Sequence, residues 1–136
     1  MLVDGVPGRS CILPLSVVRG RHVTTLEGLA TGGVLHPVQR AFVEEQAAQC
    51  GYCLNGMIMT TVALLERDPE PDDATIRREL AGNLCRCGTH VEILRAVKRA
   101  ATAMARDASP ARATDDPTMM VVADERESRS RSGALV

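Results

Sequence analysis

The chain has 136 residues, a net charge of −1 and only two aromatic residues, Phe42 and Tyr52. That length holds one modest domain with a tail, or two very small domains. Near-neutral charge offers no field to attract nucleic acid or a membrane surface, the missing rings leave no platform for stacking bases, and no apolar run approaches a membrane span.

Residues 1–33 read as short β structure. Leu2-Val3-Asp4-Gly5 is a strand entering an Asp-Gly turn, and Ser16-Val17-Val18, Arg19-Gly20-Arg21 and His22-Val23-Thr24-Thr25 read as a hairpin. Two hairpins of that size cannot bury a core alone. Thr31-Gly32-Gly33 marks a joint.

Residues 34–106 carry helical periodicity. Pro37 suits a first helical position, with Val38, Ala41 and Phe42 following at helical spacing, and this helix is expected to stop at Gly51. A second helix starts near Cys53, carries Leu54, Met57, Ile58, Thr61, Val62 and Leu65 on one face, and ends at Asp68-Pro69. Asp72 or Asp73 caps a third helix with Ile76 and Leu80 inward, ended by Gly82. Thr89-x-x-Glu92 has the form of a capping box opening a fourth, whose apolar face is Ile93, Leu94, Val97, Ala101 and Met104. Short links make this a mainly α protein, a small four-helix bundle. Residues 107–136 lose all periodicity and read as a disordered tail.

The cysteines carry the chemistry. Cys50-Gly51-Tyr52-Cys53 is C-x2-C and Cys85-Arg86-Cys87 is C-x-C, leaving Cys11 alone among five. Four thiols in close pairs read as metal ligation rather than a disulfide framework. In an up-and-down bundle the first-to-second and third-to-fourth loops fall at one end, so the pairs can meet there. Helix N-termini facing that end favour thiolate. Three readings compete on spacing alone. Zinc favours two C-x2-C knuckles, and C-x-C is tight for a single ion. A [2Fe–2S] cluster spreads four thiolates over two irons and tolerates uneven spacing. Inert thiols or a disulfide are the third. Gly56 inside a helix costs about 1 kcal/mol and implies a close approach by another group. Met57, Met59 and Met104 read as core, and His36 reads as a helix-start residue.

The segments Leu35-His36-Pro37-Val38-Gln39, Glu45 through Cys53, Gly56-Met57-Ile58-Met59 and Gly82 through Thr89 resemble the small iron–sulfur subunit of molybdenum hydroxylases, the family of xanthine dehydrogenase and aldehyde oxidase. The likeness is strongest to separate bacterial small subunits of the isoquinoline 1-oxidoreductase, nicotinate and aldehyde dehydrogenase type, and it spans residues 1 to about 105. The resemblance implies one [2Fe–2S] cluster on Cys50, Cys53, Cys85 and Cys87, with Gln49 and Cys87 lying against the pterin of a molybdenum cofactor on a large partner subunit. It implies electron transfer with no substrate chemistry on this chain. Electrons would originate from an aldehyde or N-heterocycle and leave towards a flavin subunit or a cytochrome, at a cytoplasmic location. Arg86 would compensate charge beside the cluster.

The same resemblance makes residues 1–33 the end of a plant-type ferredoxin (β-grasp) domain. Cys11 matches the fourth ligand of a second [2Fe–2S] cluster whose other three ligands are absent, so the N-terminus is expected to be truncated. The second cluster would belong only to a full-length form, and Cys11 here is a free thiol. The alternative from another class is a non-redox, zinc-stabilised interaction module.

Overall fold

The computed structural model describes residues 1–107. It is helix-rich with a small sheet. The elements are β1 (Leu2–Val3), β2 (Val6–Pro7), α1 (Leu15–Val18), β3 (Val23–Thr24), a 3-10 turn (Glu27–Leu29), α2 (Pro37–Glu44), α3 (Leu54–Arg67), α4 (Asp73–Leu80) and α5 (His90–Asp107). The tail expected from residue 107 lies outside the described residues, apart from Asp107, which closes α5.

The sheet order is β2-β1-β3, antiparallel throughout. The Asp4-Gly5 turn forms as expected, pairing Val3 with Val6. The second expected hairpin does not form. Ser16-Val17-Val18 lies in a single helical turn, and Val23–Thr24 pairs with β1 instead. Asp4 explains the choice. Its backbone N–H donates to the His22 carbonyl (2.9 Å), and its carboxylate accepts from the His22 N–H (2.9 Å). Those bonds align 23–24 with β1, whereas Leu15 and Val17 are exposed and gain nothing from a ladder. Nor is the segment unpacked: Leu2 and Val3 are buried, and Leu2, Leu26 and Leu29 join the helical core.

Helix α3 is the centre of that core. Met57, Ile58, Met59, Thr61, Val62, Ala63, Leu64 and Leu65 are all buried, as suits a helix apolar around most of its circumference. The Thr61 hydroxyl is satisfied by the Met57 carbonyl at 2.8 Å. Helices α2 and α4 pack on α3, and α5 packs on α2 and α4. The inward face of α5 is Ile93, Ala96, Val97 and Ala100, with Leu94, Ala101 and Met104 partly buried at its margin. Arg99 ties α5 to α2 through Glu44 and Glu45, the latter at 2.8 Å. These pairs are exposed and stabilise by no more than about 1 kcal/mol each.

Helix α2 ends well before Gly51. Gln46 takes a positive φ of 50°. Its N–H bonds the Val43 carbonyl, while the Ala47 N–H reaches back to the Phe42 carbonyl. This is a Schellman ending in which glutamine holds the place glycine usually takes, with Ala47 buried behind it. The start of α2 is a capping box built on His36 rather than serine. The His36 Nδ1 accepts from the Val38 N–H (3.2 Å), Gln39 Oε1 accepts from the His36 N–H (3.0 Å), and Gln39 Nε2 donates to the Leu26 carbonyl (2.9 Å). His36 is therefore a helix-start residue, as its position before Pro37 suggested. Asp72 caps α4, as expected, by accepting from the Thr75 N–H (2.7 Å).

Burial holds the His36 imidazole below its ordinary value of 6.5, and nearby Glu66 only partly opposes this. A histidine depressed in the folded state contributes stability in full above the unfolded value, and loses it as pH falls through 6.5 towards the folded value. Denaturant unfolding should therefore show stability falling from pH 7.5 to pH 5.5, with a shallower fall in His36→Asn, whose amide caps without titrating. Equal slopes in the two proteins would refute the role of His36. In the core, Ile76→Val should cost about 0.5–1.5 kcal/mol by the same measurement, since Ile76 is fully buried.

Candidate metal centre

Two loops meet at the end of the helices where α3 and α5 begin. The first runs from the Schellman ending of α2 to Cys53, the residue preceding α3. Gly51, at a φ of 78°, reverses the chain between Cys50 and Cys53, and the Leu54 N–H returns to the Gly51 carbonyl at 3.1 Å. The second loop runs from Ala81 to Thr89, between α4 and α5.

All four paired cysteines line one small cavity, together with Ala47, Ala48, Gln49, Leu54 and Thr89. The Sγ atoms of Cys50 and Cys87 are 3.0 Å apart. Cys53 and Cys85 form a looser second pair, half-buried against the core and close enough to perturb each other's ionisation. The juxtaposition expected from the loop positions is thus present. Cys11 is exposed and lies outside this cavity, and all five thiols are free. Gln49 is on the cavity wall but exposed; Arg86 is exposed and does not line the cavity.

The electrostatics follow from crowding. The hydrogen bond from Cys87 pulls the Cys50 thiol below its ordinary value, helped by the Tyr52 N–H. The same bond raises Cys87, which supplies the proton. Burial pushes Cys53 up to about 11, and the Cys85 thiol adds to this. Burial also pushes Cys85 up, but the N–H groups of Cys87 and Gly88, with Cys53 and Thr89, more than offset it. Within each pair one thiol is thus lowered and the other raised. Only a bound cation or cationic cluster makes four thiolates stable together at this spacing.

Among the described residues, no three His, Cys, Asp or Glu side chains are grouped to hold one ion. The thiols approach two by two. A [2Fe–2S] cluster places two thiolates on each iron, so this donor set fits such a cluster. The N–H groups directed at Cys85 are the kind of hydrogen bond to sulfur that tunes cluster potential.

Two features near the site differ from or extend the sequence reading. Thr89 stands at the N-terminal cap position of α5, its carbonyl accepting from the Ile93 N–H at 3.0 Å, and its hydroxyl also faces Cys85 Sγ at 3.9 Å. Gly56 is indeed closely approached: Asn83 Oδ1 occupies the space a Cβ would need. Nothing in the segment Gly82 through Thr89 singles out Asn83 by itself; the glycine inside α3 was the signal that something would pack there.

The chain matches the family described as the [2Fe-2S] binding domain over residues 25–98. It is 66% identical over 101 residues to a nicotinate dehydrogenase subunit of Pseudomonas putida, covering 74% of this chain and 64% of that one. It is 52% identical over 99 residues to the alpha subunit of isoquinoline 1-oxidoreductase of Brevundimonas diminuta, covering 73% and 64%. Among solved structures it is similar to quinoline 2-oxidoreductase from Pseudomonas putida 86, with a TM-score of 0.71 at 36% identity, over 77% of this chain and 66% of that chain. The chain spans just under two thirds of the length of these relatives. It belongs to the [2Fe-2S] binding domain family, and the zinc-module reading is not favoured.

Anaerobically reconstituted protein should hold about two irons and two acid-labile sulfides per chain. Serine at Cys50, Cys53, Cys85 or Cys87 should lower that content severalfold or abolish it, while Cys11→Ser should leave it unchanged. Iron and sulfide assays with visible absorbance decide the matter; full cluster content in any of the four serine variants would remove that residue from the ligand set.

Proposed function

We propose that this chain is the electron-transfer subunit of a molybdenum-cofactor hydroxylase. It receives electrons from the molybdenum centre of a large partner subunit, then passes them on through one [2Fe–2S] cluster held by Cys50, Cys53, Cys85 and Cys87. The observation that carries this reading is the convergence of the two thiol pairs on one cavity at the surface of the helical domain. When bound, the cluster supplies one-electron redox chemistry.

The protein's own residues supply position and environment. Cys53 and Cys85 are set against the core, which shields one side of the cluster, while exposed Cys50 leaves the other side near the surface. Gln49 and Cys87 stand on that outer side and are the proposed contacts to the pterin. Tyr52 and Leu84, 90% and 85% exposed, flank the two loops. Large apolar side chains so displayed beside a redox site suit a partner surface. Both relatives named above are subunits, which supports a large partner; their names point to N-heteroaromatic substrates, and an aldehyde or N-heterocycle is the proposed electron source. A flavin subunit or a cytochrome is the proposed acceptor.

The same reading divides the chain into a ferredoxin-like segment over 1–33 and a four-helix cluster-binding bundle over 34–106. No described helix is long and apolar enough to cross a membrane. A cytoplasmic location is proposed with that role.

The test is a single-turnover experiment on the complex with its large subunit. Gln49→Ala should leave cluster absorbance intact yet slow substrate-driven bleaching by roughly tenfold, the scale expected when a group that positions two redox partners is lost. Unchanged bleaching would remove Gln49 from the contact, and failure of substrate to bleach the wild-type cluster at all would overturn the proposed role.

A further inference from the structure

Asn83 is the last anchored residue before the second thiol pair. Its backbone N–H donates to the Leu80 carbonyl at 2.9 Å, and its side-chain Nδ2 donates to Thr60 Oγ1 at 3.0 Å. Its Oδ1 rests on Gly56, where any side chain would collide with it. The neighbouring Gly82 carbonyl accepts from the Arg9 guanidinium. Beyond this point backbone anchoring stops, and only the Cys85 side chain rests partly against the core. Among the described residues, no backbone–backbone hydrogen bond joins residues 84–88 to the rest of the fold, and Leu84 is largely exposed.

The receiving surface is as specific as the amide. Gly56 and Thr60 are four residues apart and therefore share one face of α3. Cys53 precedes the same helix, three residues before Gly56. One carboxamide thus connects the loop bearing Cys85 and Cys87 to the helix whose start bears Cys53. The glycine removes a side chain so that the amide can seat, and the threonine hydroxyl receives its N–H. Helix α3 accepts the weaker intrinsic propensity of glycine at this position, and the seat it creates is filled by Asn83.

We propose that Asn83 is a positioning residue for the cluster. Its carboxamide, seated on Gly56 and bonded to Thr60, sets where the 84–88 loop presents Cys85 and Cys87 to Cys50 and Cys53. This rests on the cluster reading above and adds a determinant of cluster retention and geometry outside the ligands. Groups that orient metal ligands from behind typically change metal affinity by about 10–100-fold when removed.

The test uses the whole chain, anaerobically reconstituted, in wild type, Asn83→Leu, Thr60→Val, the double variant and Asn83→Asp. Cluster loss to an iron chelator is followed by visible absorbance, and the reduced cluster is recorded by electron paramagnetic resonance. Asn83→Leu and Thr60→Val should each lose the cluster roughly tenfold faster than wild type. The double variant should lose it no faster than the worse single variant, because both remove one link. Asn83→Asp should lie near wild type, since the Thr60 hydroxyl can donate to a carboxylate as readily as it accepts from an amide. The resonance line shape should change in Asn83→Leu, and Asn83→Asp should restore it. Wild-type loss rates in Asn83→Leu, additive effects in the double variant, or an unaltered line shape with only a lower melting temperature would each overturn the proposal. Thr60→Val, nearly isosteric, keeps the test decisive if Asn83→Leu fails to fold. Failure is distinguishable from failure of the cluster reading, which would appear as a wild-type chain that takes up no cluster.

Discussion

The structure depends on covering helix α3. Its apolar residues extend around most of its circumference, so no single neighbour can shield it, and it must lie inside. Helix α2, helix α4 and the small sheet each cover part of it, while α5 closes over α2 and α4. Cys53 stands at the start of this buried rod. The site is therefore fixed to the best-packed element of the protein at one end only. From there outward the order is graded: Cys53 and Cys85 are half-buried against the core, and Cys50 is exposed. A redox group held this way is rigid on its inner side and accessible on its outer side. That division suits a centre that must keep its ligand geometry while exchanging electrons with another molecule.

Much of this was legible in the sequence where one physical signal dominates. Helix α3 is a long apolar run ended by Asp68-Pro69, α4 has its aspartate cap, and α5 has a clear amphipathic face. The thiol spacing singled out Cys50, Cys53, Cys85 and Cys87 as a group, and the fold brings them to one cavity. The misreadings share another cause. The Gln46 ending of α2 was hidden because the usual glycine is missing there, and the next glycine, Gly51, lies five residues further on. The Schellman bonds and the burial of Ala47 stabilise an ending that a glutamine does not advertise. The false hairpin at 16–25 arose because β-branched residues around an Arg-Gly-Arg turn look like strands. A distant residue, Asp4, decided the pairing. Local signals failed where a tertiary partner supplied the deciding hydrogen bond.

The thiol cluster also explains why residues beside it are polar, small or left-handed rather than well packed. The Cys50 and Cys87 sulfur atoms, 3.0 Å apart, resist simultaneous ionisation unless a positive charge lies between them. Both loops are anchored at their starts: Ala47 is buried at the start of the first, and Asn83 fastens the start of the second. The first loop turns through Gly51, and in the second the N–H groups of Cys87 and Gly88 are directed at the Cys85 sulfur. Such N–H groups favour the thiolate form and would favour a reduced, more negative cluster in the same way. The geometry that makes the four thiols electrostatically uneven would become favourable if, as proposed, all four shared two irons. Ligand spacing, loop anchoring and backbone direction are three answers to one constraint, the repulsion among crowded sulfur charges.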